Sequence, residues 1–325
     1  MKQIVQKILA NHYLDYQECS SFIHAIAEES ISNEHIIAIL TGIQMRGIQL
    51  EELKGFRSAL LDLTVPVQID SNAIDLCGTG GDSKNTFNIS TTTSMVLAAM
   101  NYKVIKHGNY GVSSLCGSSN VLEQLGFSFS NDSSILQDQL DKLNICFLHA
   151  PLFHPTMKKV APIRTNLGIR TLFNSLGPLV NPIQPTHQMT GTYSLELAKI
   201  YHHVLKEERT NYKVVYGLDG YDELTLTNTT RILGPGMDQI HSANTFGIQA
   251  IIPSALEGGT SLNESANIVR AILSGNGTEQ QTNVIAANVS EAIQCIEPST
   301  QLLDAFQESK SFILSGQAAK HFKFN

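Results

Sequence analysis

An α/β fold with a small helical domain packed on a larger domain with a largely parallel central sheet is what this sequence predicts. Three observations lead there. About the first 65 residues carry only helical periodicity, short apolar runs from residue 73 onward feed glycine-rich loops, and helical stretches follow those loops. At 325 residues the chain exceeds the size at which one core stops growing, so two units are expected. They are a helical unit over 1–66, completed by part of 155–185, and an α/β unit over 67–325.

In the helical unit, Ser32-Asn33 offers a cap, Ile36, Leu40 and Ile43 fall at helical spacing, and Gly47 stops the run. Leu53, Phe56, Leu60 and Leu63 repeat the pattern, and Pro66 with Asp70-Ser71-Asn72 punctuates it. Beyond lies Ala73-Ile74-Asp75-Leu76, an apolar run entering a glycine loop, with a helix expected from Ser90 to Met100. Lys103-Val104-Ile105 enters a second loop, Val121 to Leu125 reads as a helix stopped by Gly126, and Ile145 to Leu148 and Val214 to Tyr216 read as buried strands. Ligands of such a sheet lie beyond the carboxyl ends of its strands. The proline-punctuated stretch 155–182 is periodic enough to be helical in places and is expected to cross back to the helical unit.

Composition narrows the function. With 22 basic and 29 acidic residues the net charge is −7, which disfavours broad attraction to nucleic acid or to an anionic membrane. Any phosphate must be held by a local site. The five cysteines are widely spaced without metal-ligand spacing and read as free thiols of a reducing compartment. The opening Met1-Lys2-Gln3-Ile4-Val5 lacks a signal-like apolar region and no stretch approaches the ~18 apolar residues of a membrane span, so a cytoplasmic protein is expected.

Four segments carry candidate chemistry. Gly78-Thr79-Gly80-Gly81-Asp82, followed by Asn85-Thr86-Phe87-Asn88-Ile89-Ser90-Thr91, can turn tightly and present N–H groups to an anion ahead of a helix. Ser83 and Asn85 exclude a Walker A loop, and the missing third glycine excludes the dinucleotide fingerprint. An unliganded glycine turn is the plainer alternative. Lys106-His107-Gly108-Asn109-Tyr110-Gly111-Val112-Ser113-Ser114, then Gly117-Ser118-Ser119, is a second cradle, suited to pyrophosphate, with His107 either structural or chemical. Asp219-Gly220-Tyr221-Asp222-Glu223 follows a strand, where paired acids can hold hydrated Mg²⁺ beside phosphate, although such pairs are more often solvated. Arg164, within Val160-Ala161-Pro162-Ile163-Arg164, suits a carboxylate, or else ties the two units together with Arg170.

Taken in order, GTGGD, NIST, KHGN with SS, VAPIR through FNSLGPLVNP, and DGYDE resemble the anthranilate phosphoribosyltransferases over nearly the whole chain. The resemblance implies a helical domain on an α/β domain, an active site between them and a homodimer formed through the helical part. It implies transfer of phosphoribose from phosphoribosyl pyrophosphate to anthranilate in tryptophan biosynthesis, with Mg²⁺ as cofactor and neither nucleic acid nor membrane as partner. Gly78, Gly81, Asp82, Thr86, Asn88, Ile89, Ser90, Thr91, Lys106, Ser114 and Ser118 then match donor positions, and Ser90, Asp222 and Glu223 the metal positions. Gly78, Asn109 and Arg164 match acceptor positions, with His107 a further candidate; no acid or base is nominated, and positioning falls to Lys106, Asn109 and Arg164.

Two departures stand out: Ser83 where glycine is frequent, and Tyr110 where arginine is frequent. Rival readings are a pyrimidine nucleoside phosphorylase-like glycosyl transfer and a non-catalytic nucleic-acid-binding paralogue. The intact Arg164 block and the Asp222-Glu223 pair weigh against the first, and the negative charge against the second.

Overall fold

The computed structural model describes residues 1–111, 116–208 and 211–323. The chain opens with α1 (Lys2–Leu9), α2 (Tyr16–Ala27), α3 (Asn33–Arg46) and α4 (Leu50–Asp62). Ile36, Leu40 and Ile43 of α3 and Leu53, Phe56 and Leu60 of α4 are buried, the stripe that their spacing predicts. Gly47 ends α3 at φ +79°, a conformation glycine takes without a Cβ clash. Ser32 stands at the cap position of α3, but its hydroxyl bonds His35 Nδ1 at 3.0 Å instead of a backbone N–H.

The α/β part follows as β1 (Ile74–Leu76), α5 (Ile89–Ala99), β2 (Val104–Gly108), α6 (Ser118–Gln124), α7 (Ser133–Leu143), β3 (Ile145–His149), α8 (Ala150–Phe153) and α9 (Pro155–Leu167). Next come β4 (His187–Gly191), α10 (Leu195–Glu208), β5 (Asn211–Gly217), β6 (Thr230–Gly234) and β7 (Met237–His241). Helices α11 (Leu262–Leu273), α12 (Glu279–Ile296), α13 (Leu302–Leu314) and α14 (Gln317–His321) close the chain.

The strands form one seven-stranded sheet in the order β3-β2-β1-β4-β5-β6-β7. The first five run parallel, while β6 and β7 fold back antiparallel, so the sheet is largely parallel, as expected, with a hairpin at one edge. Strand order reverses between β1 and β4, which opens a crevice at their carboxyl ends. Strand β4 has no continuous apolar run because two of its polar side chains are spent inside: Gln188 Nε2 donates to Pro178 O at 2.6 Å and Thr190 Oγ1 to Cys77 O at 2.8 Å.

One apolar cluster packs α5, α11, α12 and α13 on one face of the sheet. A second begins in α1–α4 and continues without interruption through Met157 and Val160 of α9, Phe173 and Leu179, Tyr201 of α10, and Val214 of β5. The helical part therefore shares its core with the opposite face of the sheet. Among the described residues no helix is long and apolar enough to cross a membrane.

Candidate active site

The loop after β1 is shaped by backbone conformation. Gly80 and Gly81 lie at φ +62° and +74°, and Ser83 adopts φ +61°, so three of four successive residues are left-handed. Only Ser83 carries a Cβ there, at a cost of roughly 1–2 kcal/mol, which explains why glycine suits the position. The end of the loop is zipped to residues 256–259: Phe87 N–H donates to Leu256 O at 2.8 Å and Asn85 Nδ2 to Gly259 O at 3.0 Å.

Helix α5 then points its N-terminus into the crevice. Asn88 stands at the cap position, but its side-chain amide donates to Cys116 O at 3.2 Å instead of capping the helix. That bond joins the first glycine loop to the second. The positive end of its dipole therefore lies at the cleft, where it favours an anion.

Lys106, on β2 and buried, reaches across to β1: its ammonium donates to Leu76 O and lies 3.4 Å from Ser90 Oγ at the start of α5. Ser118, at the start of α6, donates from Oγ to Asn109 O at 3.3 Å, and only a glycine at 108 leaves room for it. Ser114 lies outside the described residues. Tyr110 supplies no cation. Its hydroxyl donates to Glu123 at 2.6 Å and its ring meets His149 edge-on at 4.6 Å, so it braces the second loop.

Three acids gather opposite. Asp222 accepts the Gly80 N–H at 2.6 Å, and Glu223 accepts the Ser90 N–H at 3.3 Å. Burial, then the charge of Asp82, pushes Asp222 up to about 7; burial, then Asp222, pushes Glu223 up to about 8. Asp82 is also raised, chiefly by burial. Burial and mutual repulsion outweigh the opposing charges of Lys106 and Lys84.

The remaining wall comes from α9 and the segment behind it. Arg164 is 8% exposed, and burial lowers its pKa to about 10. Its Nη2 donates to Asn174 Oδ1 at 3.3 Å, its guanidinium lies 5.7 Å from the Phe173 ring centroid, and its Nε has no partner. No carboxylate among the described residues pairs with it.

His107 is held neutral, pushed down to about 3 chiefly by burial and then by His154. Since Gly177 O can only accept, the 3.1 Å bond to it fixes the proton on Nδ1 and leaves Nε2 a lone-pair acceptor without a partner. Burial thus makes His107 a weak base.

Gly78, Gly81, Asp82, Thr86, Asn88, Ile89, Ser90, Thr91, Lys106, His107, Asn109, Ser118, Arg164, Asp222 and Glu223 all line one cleft of about 250 Å³. The sequence reading missed Phe173 and Asn174, which face Arg164, and Asp75, which accepts the His107 N–H at 3.2 Å. An acid inside the apolar run 73–76 was the available signal for Asp75. Arg170, expected as a tie between units, donates from Nη1 to Gly81 O at 2.9 Å and stacks its guanidinium 4.4 Å over Tyr193, tying the first glycine loop to the segment after α9.

A helical bundle beside a glycine-loop cleft at the switch point of the sheet is the architecture of a glycosyl transferase family. Residues 2–64 match the helical bundle domain of a glycosyl transferase family, and residues 70–319 match its a/b domain. The anthranilate phosphoribosyltransferase of Flavobacterium psychrophilum is 45% identical over 99% of this chain and 98% of its own, and that of Bacteroides fragilis 41% identical over 99% and 98%. The crystal structure of the Thermus thermophilus anthranilate phosphoribosyltransferase superposes with TM-score 0.89 at 28% identity, covering 98% of this chain and 97% of that one. The Saccharomyces cerevisiae enzyme, in complex with phosphoribosyl pyrophosphate and magnesium, superposes with TM-score 0.89 at 25% identity, covering 99% and 95%. The chain belongs to the anthranilate phosphoribosyltransferase family.

Proposed function

We propose that this chain transfers the phosphoribosyl group of 5-phosphoribosyl 1-pyrophosphate to the amino group of anthranilate, giving N-(5-phosphoribosyl)anthranilate and pyrophosphate in tryptophan biosynthesis. The observation that carries this reading is one cleft holding two N–H- and hydroxyl-rich cradles together with a buried guanidinium that lacks a carboxylate. The cradles suit the two phosphorylated ends of the donor, and Arg164 suits the acceptor acid through a two-pronged hydrogen bond. Donor contacts fall to Gly78, Gly81, Asp82, Thr86, Asn88, Ile89, Ser90, Thr91, Lys106 and Ser118, and acceptor contacts to Gly78, His107, Asn109 and Arg164.

Magnesium fits the oxygen-rich corner formed by Ser90, Asp222 and Glu223. Asp222 and Glu223, both raised chiefly by burial, would be favoured as carboxylates beside a cation. An open site suits an ion that keeps several waters and shares substrate phosphates. When bound, it would compensate the charge of the departing pyrophosphate. The protein's own contribution is positioning: the acceptor nitrogen attacks the anomeric carbon with its lone pair, the carbon–oxygen bond to pyrophosphate breaks, and the N–H donors of the loops stabilise the charge that develops. The arylammonium formed is acidic enough to release its proton without a strong protein base. His107, held near 3, is not asked to act as one.

The helical unit is assigned to 1–66 with part of 155–185, and the donor-binding unit to 67–325. Exposed Leu9 of α1, Tyr13 between α1 and α2, and Met45 of α3 are apolar positions that a homodimer would cover, and five cysteines outside any disulfide suit the cytoplasm. The decisive assay mixes purified protein with anthranilate, phosphoribosyl pyrophosphate and Mg²⁺. Formation of phosphoribosyl anthranilate that stops on chelation is expected; no product, with folded protein, would overturn the reading.

A further inference from the structure

The segment just behind the acceptor wall is held in an unusual way. Its short 3₁₀ turn, Gly177–Leu179, and the residue after it present four successive carbonyls, and each accepts from a different side chain. His107 Nδ1 bonds Gly177 O at 3.1 Å, and Gln188 Nε2 bonds Pro178 O at 2.6 Å. Arg57 Nε bonds Leu179 O at 2.8 Å, and His154 Nε2 bonds Val180 O at 2.8 Å. Asn181 follows, its amide donating to Asp75 at 2.9 Å and to Ile105 O at 3.0 Å. The donors come from β2, β4, α4 and the α8–α9 junction, so this strap has almost no regular backbone pairing of its own.

Gly177 and Pro178 line the cleft, and Gly177 O sets which nitrogen of His107 carries its proton. The placement of the strap therefore decides both the shape of the acceptor wall and the tautomer of His107. Of the four donors only Arg57 belongs to the helical part, 122 residues away in sequence. It is 7% exposed, and its other nitrogens are occupied by Glu208 at 2.6 Å and Gln184 at 3.3 Å. A guanidinium can serve all three partners at once because its donors form a rigid fork, whereas a lysine ammonium reaches only the nearest.

We infer that Arg57 is a positioning residue for the acceptor: by holding Leu179 O it sets the strap, and through the strap the acceptor wall and the tautomer of His107. It touches no reacting atom. This inference rests on the acceptor reading given above and adds to it that α4 controls acceptor affinity without a side chain in the cleft.

The test is steady-state kinetics on the full-length protein with each substrate varied in turn. Arg57→Ala should raise the KM for anthranilate on the order of tenfold, with the KM for the donor changed less than about twofold. Arg57→Lys, which keeps the charge for Glu208 but gives up Leu179 O, should show the same selective rise and covers the case in which the alanine variant does not fold. Glu208→Gln, which leaves the Leu179 bond in place, should keep both KM values within about twofold of wild type. Equal rises for both substrates, an unchanged anthranilate KM in Arg57→Lys, or an anthranilate defect in Glu208→Gln would each overturn the inference while wild-type turnover leaves the acceptor reading standing. A wild type that makes no phosphoribosyl anthranilate overturns that reading and the inference with it.

Discussion

The Asp222 carboxylate occupies the space that a side chain at Gly78 would need: a Cβ built on Gly78 lies 2.5 Å from Asp222 Oδ2. The same oxygen accepts the Gly80 N–H at 2.6 Å, so the first glycine loop and the acid pair form one unit. Gly78→Ala should therefore displace Asp222 before it disturbs the sheet. The expected outcome is a protein of near wild-type melting temperature that needs at least about tenfold more Mg²⁺ for half-maximal rate. A magnesium titration at saturating substrates measures it, and an unchanged midpoint would separate the loop from the metal site.

Arg164 carries the acceptor assignment. A buried carboxylate needs a paired cation to offset its desolvation, and Arg164, which lines the cleft, is buried with an unpartnered Nε. Arg164→Ala should cost on the order of 2 kcal/mol or more in kcat/KM for anthranilate, with donor KM nearly intact. Aniline, lacking the acid, should lose far less. Equal sensitivity of the two acceptors would make Arg164 a structural residue.

Ser83 holds a left-handed conformation at φ +61° in which its Cβ is strained. Ser83→Gly removes that strain but frees the unfolded chain, so the net gain should be modest, about 0.5–1 kcal/mol, seen as a melting temperature about 2 °C higher. A lower melting temperature would show that the serine side chain contributes a contact worth more than the strain.

With Mg²⁺ held as proposed, its affinity should depend on pH through the acids of the cleft. Asp222 and Glu223 are raised to about 7 and about 8, mainly by burial, so the folded protein without metal holds protons that the unfolded chain has released. Stability from these groups is present below the unfolded carboxylate range and is lost as pH rises through 7 to 8. Chelated protein should therefore melt lower at pH 9 than at pH 6.5, and Mg²⁺ with pyrophosphate should flatten the decline. Below pH 6.5 the neutral, buried His107 and His154, lowered to about 3 and about 4, act in the opposite sense and lose stability as pH falls. Because bound metal displaces protons, magnesium affinity should weaken as pH falls from 8 to 6, roughly tenfold per unit for each proton displaced. Calorimetric titrations at three pH values would expose a pH-independent affinity, which contradicts the assigned ligands.

Local chemistry determined what could be read from the chain alone. The stripes at Ile36, Leu40, Ile43 and Leu53, Phe56, Leu60 fix helices because period and burial are properties of neighbours in sequence. The glycine loops are legible for the same reason, since Gly80 and Gly81 adopt left-handed conformations that few other residues tolerate. Strand β4 escaped because Gln188 and Thr190 break its apolar pattern, and their polar atoms are satisfied only by Pro178 O and Cys77 O in the folded protein. Likewise, nothing around Arg57 distinguishes it from a solvated helix arginine. Its partners Leu179 and Glu208 lie 122 and 151 residues away, and a hydrogen bond closed over such distances leaves no periodicity or spacing for a sequence to display. The sequence thus pointed to the residues proposed to bear the chemistry, while the tertiary structure alone decided the proton position on His107, the lack, among the described residues, of a carboxylate beside Arg164 and the strap that joins α4 to the cleft, because each depends on burial and on partners brought together by long-range packing.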